Sequence, residues 1–325
     1  MSGTIFLKNQ GFRFLTPTRP FDFDGTVFRP DHFPSNDAEW EPRVYWQTLS
    51  WKHQNFGIKL QALGTNNHPK IKANIFAKKK PSHSIFQEIL DEIRWRFDLD
   101  SKGVPGFVAR FRTDPYLGSA IRRHSGMRLK SGSSLYEYLV ITVMLQNTVV
   151  RRSVSMLQAL FEKYGQKVSF DGHDLWTFWD PERIHAASED DLRALKLGYR
   201  AKTLKRQAEQ FIEGKIDENR LRDIHDSKRI AQALDEIYGV GSQSAWYMAS
   251  EFFHFYDSLD YVSPWEGKIV GRALFGRDVS TRRVQEFLTK RYGDFRLLAF
   301  AYLMIDLFWQ HRQSPIYWLS KMIRL

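Results

Sequence analysis

Two glycines flank a valine at Gly239-Val240-Gly241, between stretches whose apolar residues recur at helical spacing. Glycine tolerates φ > 0. The pinch therefore reads either as a helix end with a short loop or as a hairpin whose bare backbone N–H groups grip an anion. Further on, Pro264-Trp265-Glu266 places a carboxylate at the start of another helix, with Ile269 and Leu274 on its apolar face. The helix dipole favours a negative group there whatever its chemistry. Two other acids, Asp257 and Asp260, precede it. Gln146 and Asn147 interrupt a nearly all-apolar run from Leu139 to Leu145. The chain has no cysteine, which excludes disulfides, thiolate zinc sites and iron–sulfur clusters together. Its ten histidines are scattered, none paired with a carboxylate at metal-ligand spacing, so no metal site built from side chains is expected.

Two kinds of element must position these residues. Within residues 1–98, "VYWQTLSW" (44–51), "FGIKLQALG" (56–64) and "KIKANIFAK" (70–78) read as strands. The third alternates Ile71, Ala73 and Ile75 with Lys70, Lys72 and Asn74, the pattern of a sheet with one wet face. The turn cluster "TNNHP" separates the last two strands, and "SIFQEILDEIRWRFDLD" follows as an amphipathic helix. Residues 99–325 read as helical, with a buried central helix within 133–165 and the Gly-Val-Gly hairpin inside a helix pair at about 227–255. A net charge of +11 points to a polyanionic partner, most simply nucleic acid. Aromatic residues make up 15% of the chain, so stacking surfaces are available, although most of the rings must be core. No apolar run reaches transmembrane length, and "MSGTIFLKNQGFRF" lacks the apolar core of a signal peptide. The expected location is intracellular: cytoplasm and nucleoid, or a nucleus.

The order helix, Gly-Val-Gly hairpin, helix, short extended turn, acid, helix resembles the helix-hairpin-helix (HhH-GPD) DNA glycosylase superfamily. The hairpin of that family reads Leu-Pro-Gly-Val-Gly, two variable residues, a small residue and Ala. Here Ile237-Tyr238-Gly239-Val240-Gly241-Ser242-Gln243-Ser244-Ala245 matches it. The family's Pro-x-Asp-x-x-Ile/Val matches Pro264-Trp265-Glu266-Gly267-Lys268-Ile269. Residues 96–129, 138–157, 192–204 and 291–304 are similar to the branch typified by 3-methyladenine glycosylase II and 8-oxoguanine glycosylase.

The resemblance implies a mainly α fold with an N-terminal antiparallel α+β domain. It implies a base-excision repair N-glycosylase that flips a damaged base out of double-stranded DNA, acting as a monomer and away from membranes. Glu266 stands where the family has its catalytic aspartate, and Asp260 or Asp257 is the alternative. Gly239, Val240, Gly241 and Gln243 would meet the DNA backbone, where the family often holds a monovalent cation on hairpin carbonyls; no other cofactor is implied. Gln146 and Asn147 would fill the gap left by the flipped base, and Tyr247, Trp246 and Trp265 would line the base pocket. Bifunctional members carry a nucleophilic lysine where this chain has Gln243, and an amide forms no Schiff base. A water nucleophile is therefore expected. An alkylated purine is the expected substrate, because a positively charged leaving base needs little protonation and so suits a site with one acid. Lys268 is a second amine nearby, read first as a phosphate contact or a solvated side chain. The other readings are an 8-oxoguanine-type enzyme, with or without lyase activity, and a non-catalytic binder of DNA structure.

Overall fold

Alternating side chains build the first layer. In the computed structural model, which describes residues 3–30, 35–257 and 259–323, five antiparallel strands run in the order β2-β6-β5-β4-β3. They are β2 (Lys8–Leu15), β3 (Ala38–Glu41), β4 (Val44–Trp51), β5 (Gln54–Ala62) and β6 (Ile71–Ala77). After the short α1 (Phe23–Val27) and this sheet comes α2 (His83–Arg96), whose first turn is capped by the Ser82 hydroxyl accepting from the Ile85 N–H at 3.2 Å. Ile89, Leu90 and Ile93 of α2 pack on Ile58, Leu60, Ala73 and Ile75 to form the N-terminal core.

The chain after residue 98 is not wholly helical as expected. β7 (Gln166–Phe170) and β8 (His173–Thr177) form a hairpin that joins β1 (Ile5–Phe6), with β1 and β7 parallel. This small sheet packs Val168, Phe170 and Leu175 on Leu7, Trp46 and Phe76 of the N-terminal unit. Gly57 leaves room for that packing, since a Cβ there would lie 2.6 Å from the Phe170 ring. Each of these strands is five residues or fewer, so its burial comes from partners distant in sequence.

The helices divide into two groups. α3 (Gly103–Phe111) and α4 (Gly118–Arg123) pack with α13 (Pro264–Phe275), α14 (Thr281–Tyr292), α15 (Arg296–Gln313) and α16 (Tyr317–Ser320). The other group begins with α5 (Leu135–Leu145), α6 (Val150–Tyr164), α7 (Pro181–Ala186), α8 (Glu189–Ala194) and α9 (Arg200–Ile212). It is completed by α10 (Glu218–Arg222), α11 (Ser227–Asp235) and α12 (Ser242–Glu251). α5 is shared by both cores of this group, as its nearly all-apolar sequence requires. Within 133–165 the buried central helix ends at Gln146, where the polar pair Gln146-Asn147 interrupts the apolar run and the chain turns between α5 and α6. The α11–α12 hairpin therefore sits on one helical group and the start of α13 on the other. Among the described residues no helix is long and apolar enough to cross a membrane.

Candidate active site

The hairpin is shaped by Gly239 and braced by glutamines. Gly239 has φ 78°, and a Cβ on it would lie 2.5 Å from Thr203 Cγ2 of α9, so both the turn and the close approach require glycine. Gln146 Nε2 donates to the Gly239 carbonyl at 3.0 Å, and Gln207 Nε2 donates to that of Tyr238 at 3.0 Å. Gln210 accepts from the Tyr238 N–H at 2.9 Å and donates to the Glu236 carbonyl at 3.4 Å. The carbonyls of Glu236, Tyr238 and Gly239 thus each accept a hydrogen bond from a side-chain amide. Val240 is buried beneath the turn. Gly241 is exposed, and nothing lies within 4 Å of where its Cβ would be. It opens α12, which has no side-chain cap, whereas the neighbouring α11 and α13 are capped by Asp226 and Ser263. The first-turn N–H groups of α12, beside exposed Gln243, are left for a ligand.

Glu266 is held by local and distant contacts together. Ser263 and Glu266 form a capping box: Glu266 N donates to Ser263 Oγ at 3.2 Å, and Ser263 N donates to Glu266 Oε2 at 3.1 Å. The same Oε2 accepts from the hydroxyl of Tyr247 on α12. Among the described residues Oε1 accepts no hydrogen bond. Burial, with the charges of Glu266 and Glu251, raises the Tyr247 phenol far above its ordinary value, so it stays protonated and donating. The competing acids lack this setting. Asp257 is exposed and accepts from Ser227 Oγ at 3.1 Å, while Asp260 is exposed and, among the described residues, held through its carbonyl alone, by Gln285 at 3.1 Å.

A cleft of about 740 Å³ opens beside the start of α13. Pro264, Trp265 and Lys268 form one wall, Phe308, His311 and Arg312 of α15 another, and Lys321–Ile323 a third. The Trp265 indole is fixed by donating to the Met322 carbonyl at 2.8 Å. His311 Nδ1 accepts from the Ile316 N–H at 2.8 Å, which leaves its proton on Nε2. The expected pocket residues are thus divided: Trp265 lines the cleft, Tyr247 holds the acid, and Trp246 is half-buried outside both.

The corner after α5 is also divided. Gln146 is tied to the hairpin, while Asn147 is exposed in the left-handed region at φ 47°. Arg200, buried at the start of α9, donates to the carbonyls of Val143, at 3.1 Å, and of Gln146, closing the helix end. Beside Asn147 stand Leu145, 42% exposed, and Val149, 62% exposed. The sequence did not mark these two, because apolar residues at the end of an apolar helix read as core. Tyr199, 4.7 Å from the Arg200 guanidinium, and Tyr238 on the hairpin are also exposed.

The α11–α12 pair around Gly239-Val240-Gly241, followed by α13 with its capped Glu266 and joined to an N-terminal antiparallel sheet, is the helix-hairpin-helix architecture of the DNA glycosylase fold. Residues 140–289, just under half of the chain, match the family described as HhH-GPD superfamily base excision DNA repair protein. It is 26% identical over 175 residues to DNA-3-methyladenine glycosylase of Bacillus subtilis (strain 168), a match covering 52% of this chain and 55% of that protein. The chain thus spans about half the length of that relative. It is 24% identical over 257 residues to the "Probable N-glycosylase/DNA lyase" of Methanothermobacter thermautotrophicus, covering 73% of this chain and 80% of that one. The fold matches 3-methyladenine DNA-glycosylase from Archaeoglobus fulgidus with a TM-score of 0.70 at 17% identity, over 94% of this chain and 99% of that one.

Proposed function

We propose that the protein is a monomeric base-excision glycosylase that removes a damaged purine from duplex DNA by hydrolysis. One observation carries this reading: Glu266 is fixed against the hairpin helix by Tyr247 while its neighbours Trp265 and Lys268 line the cleft. The hairpin N–H groups hold a phosphate, which positions the strand without reading its sequence. Asn147, with Leu145 and Val149, fills the place of the extruded nucleotide. The base enters the cleft against the Trp265 face. As its bond to the sugar breaks, the electron pair leaves with the base and positive charge builds on the sugar. Glu266 stabilises that charge and orients a water, whose oxygen bonds to the sugar carbon while its proton passes to the carboxylate or to solvent. Gln243 offers no amine, so the abasic site is left uncut.

A specific feature bears on the substrate. Among the described residues the cleft lining includes Lys268, Arg312 and Lys321 and no carboxylate. A cationic alkylated purine, the expectation from sequence, would enter against these charges. A neutral oxidised purine departs as an anion, which they stabilise. The lining therefore favours the oxidised purine. The test is a panel of duplexes, each with one modified base, scored for abasic sites with and without alkali. Release of 8-oxoguanine and not of 7-methylguanine is the expected result. Strand cutting without alkali would replace the water mechanism with an amine, Lys268 being the candidate on the cleft. Release of no base at all would leave a non-catalytic DNA binder.

A further inference from the structure

The N-terminal sheet carries a surface that the excision chemistry does not use. On β2, Phe12 and Phe14 point to the face opposite α2 and are 42% and 50% exposed. Their ring centroids lie 5.4 Å apart, edge to face. The Lys70 ammonium sits 4.0 Å from the Phe14 centroid and that of Lys72 lies 4.4 Å from the Phe12 centroid. β2 is an edge strand, so this face is open on one side. The charge of the region is one-sided. Residues 3–21 and 62–87, which contain β2, β6 and the turn after β6, hold eight Lys and Arg and no Asp or Glu.

We infer that this face binds a single strand of nucleic acid, two bases stacking on Phe12 and Phe14 while Lys70 and Lys72 take the flanking phosphates. Exposed rings on a sheet, each with a cation beside it, offer both halves of a nucleotide what they need. Lysines alone would serve to keep an edge strand soluble, but they do not call for two open rings. A duplex keeps its base faces stacked internally and offers the rings nothing, so the ligand is a strand with unpaired bases. The positive charge attracts a polyanion, and the two open rings favour one with unpaired bases over an acidic protein surface. The surface is separate from the hairpin, and the inference does not depend on the excision reading.

The test measures anisotropy of a labelled oligothymidylate of about ten nucleotides on the full chain, with excess unlabelled undamaged duplex to occupy the hairpin surface. Replacing both Phe12→Ala and Phe14→Ala should weaken single-strand binding by about tenfold or more, in line with two lost stacking contacts. Lys70→Glu with Lys72→Glu should weaken it as well and flatten its salt dependence. All four side chains lie at the surface, so both double variants should keep the parent melting temperature and duplex affinity. Unchanged oligothymidylate affinity in the Phe12/Phe14 variant overturns the inference, even where the lysine variant binds less well. So does binding to phosphatidylserine vesicles in place of the oligonucleotide.

Discussion

Glu266 reaches further than an aspartate could from the same backbone position, and the extra methylene has a use. One oxygen closes the capping box on Ser263 and also takes the Tyr247 hydroxyl, which locks the side chain, and among the described residues the other oxygen accepts no hydrogen bond, as the role proposed for it requires. Replacing Glu266→Gln keeps size and hydrogen-bonding capacity and removes the charge. Single-turnover base release should fall by about 10²-fold, as when one main electrostatic stabiliser is lost, with binding to damaged duplex retained. Glu266→Asp should be active but slower, because the shorter chain loses the reach to Tyr247. Asp260→Asn and Asp257→Asn should release base at the parent rate; a dead Asp260 variant beside an active Glu266→Gln would move the acid to the preceding segment. Tyr247→Phe tests the support. A hydrogen bond to a charged group is worth about 1.5–3 kcal/mol, so release should slow by roughly ten- to a hundredfold at saturating enzyme, with the dissociation constant little changed. A Tyr247→Phe variant that loses affinity and keeps its rate would make the tyrosine a pocket residue instead.

At the scale of elements, the hairpin works because three glutamine side chains and Thr203 hold it from behind. Gly239→Ala and Gly241→Asp separate its two demands. At Gly239 the left-handed φ and the contact with Thr203 make any side chain costly, by about 1–3 kcal/mol, so the alanine variant should melt earlier and bind every duplex less well. At Gly241 there is space, so Gly241→Asp should melt no earlier than the parent and lose duplex affinity alike for damaged and undamaged DNA, through its charge and its occupation of the first-turn N–H groups of α12. Normal binding of undamaged duplex by Gly241→Asp would remove the hairpin from the interface. How much of this was readable varies by element. The strands β4 to β6 follow from alternation and the "TNNHP" turn, and the hairpin and Glu266 from the order of short motifs. β2 hid because its aromatic residues Phe12 and Phe14 face outward, inverting the usual pattern. β7 and β8 hid because they are short and buried only by β1 and the larger sheet. The cleft hid because its walls come from segments around residues 30, 150, 265, 310 and 322, which no spacing connects. The Tyr247–Glu266 contact joins two helices whose individual patterns say nothing of their mutual angle.

The whole molecule is held across its parts by buried ion pairs, and one of them makes stability depend on pH. His124, just after α4, lies 3.4 Å from Asp22 before α1 and 3.2 Å from Asp306 of α15, so it joins the N-terminal segment to the helix that walls the cleft. Asp306 also takes a two-pronged contact from Arg123, at 2.6 and 2.7 Å. Burial alone would lower the His124 pKa, but the two carboxylates overcome it and raise it to about 9. Its folded value thus lies above its unfolded one, so the stabilisation is complete below about pH 6.5 and is lost as the pH rises through 9. At 1.36 kcal/mol per unit the contribution is about 3 kcal/mol. Lys130 acts in the opposite sense. Burial, only partly offset by Asp37, lowers its pKa to about 7, so its charging cost fades as the pH rises from 7 toward 10.5. The parent melting curve sums the two, and the difference between parent and His124→Gln isolates the histidine. The glutamine variant should melt several degrees lower at pH 6, and the gap should close by pH 10. On the acid side, burial tends to raise Asp306, but Arg123 and His124 prevail and hold it at about 2. Its stabilisation is therefore present above about pH 4 and disappears as the pH falls toward 2, where parent and variant should again converge. A gap that stays constant from pH 6 to pH 10 would show that the imidazole contributes packing and hydrogen bonding but not charge.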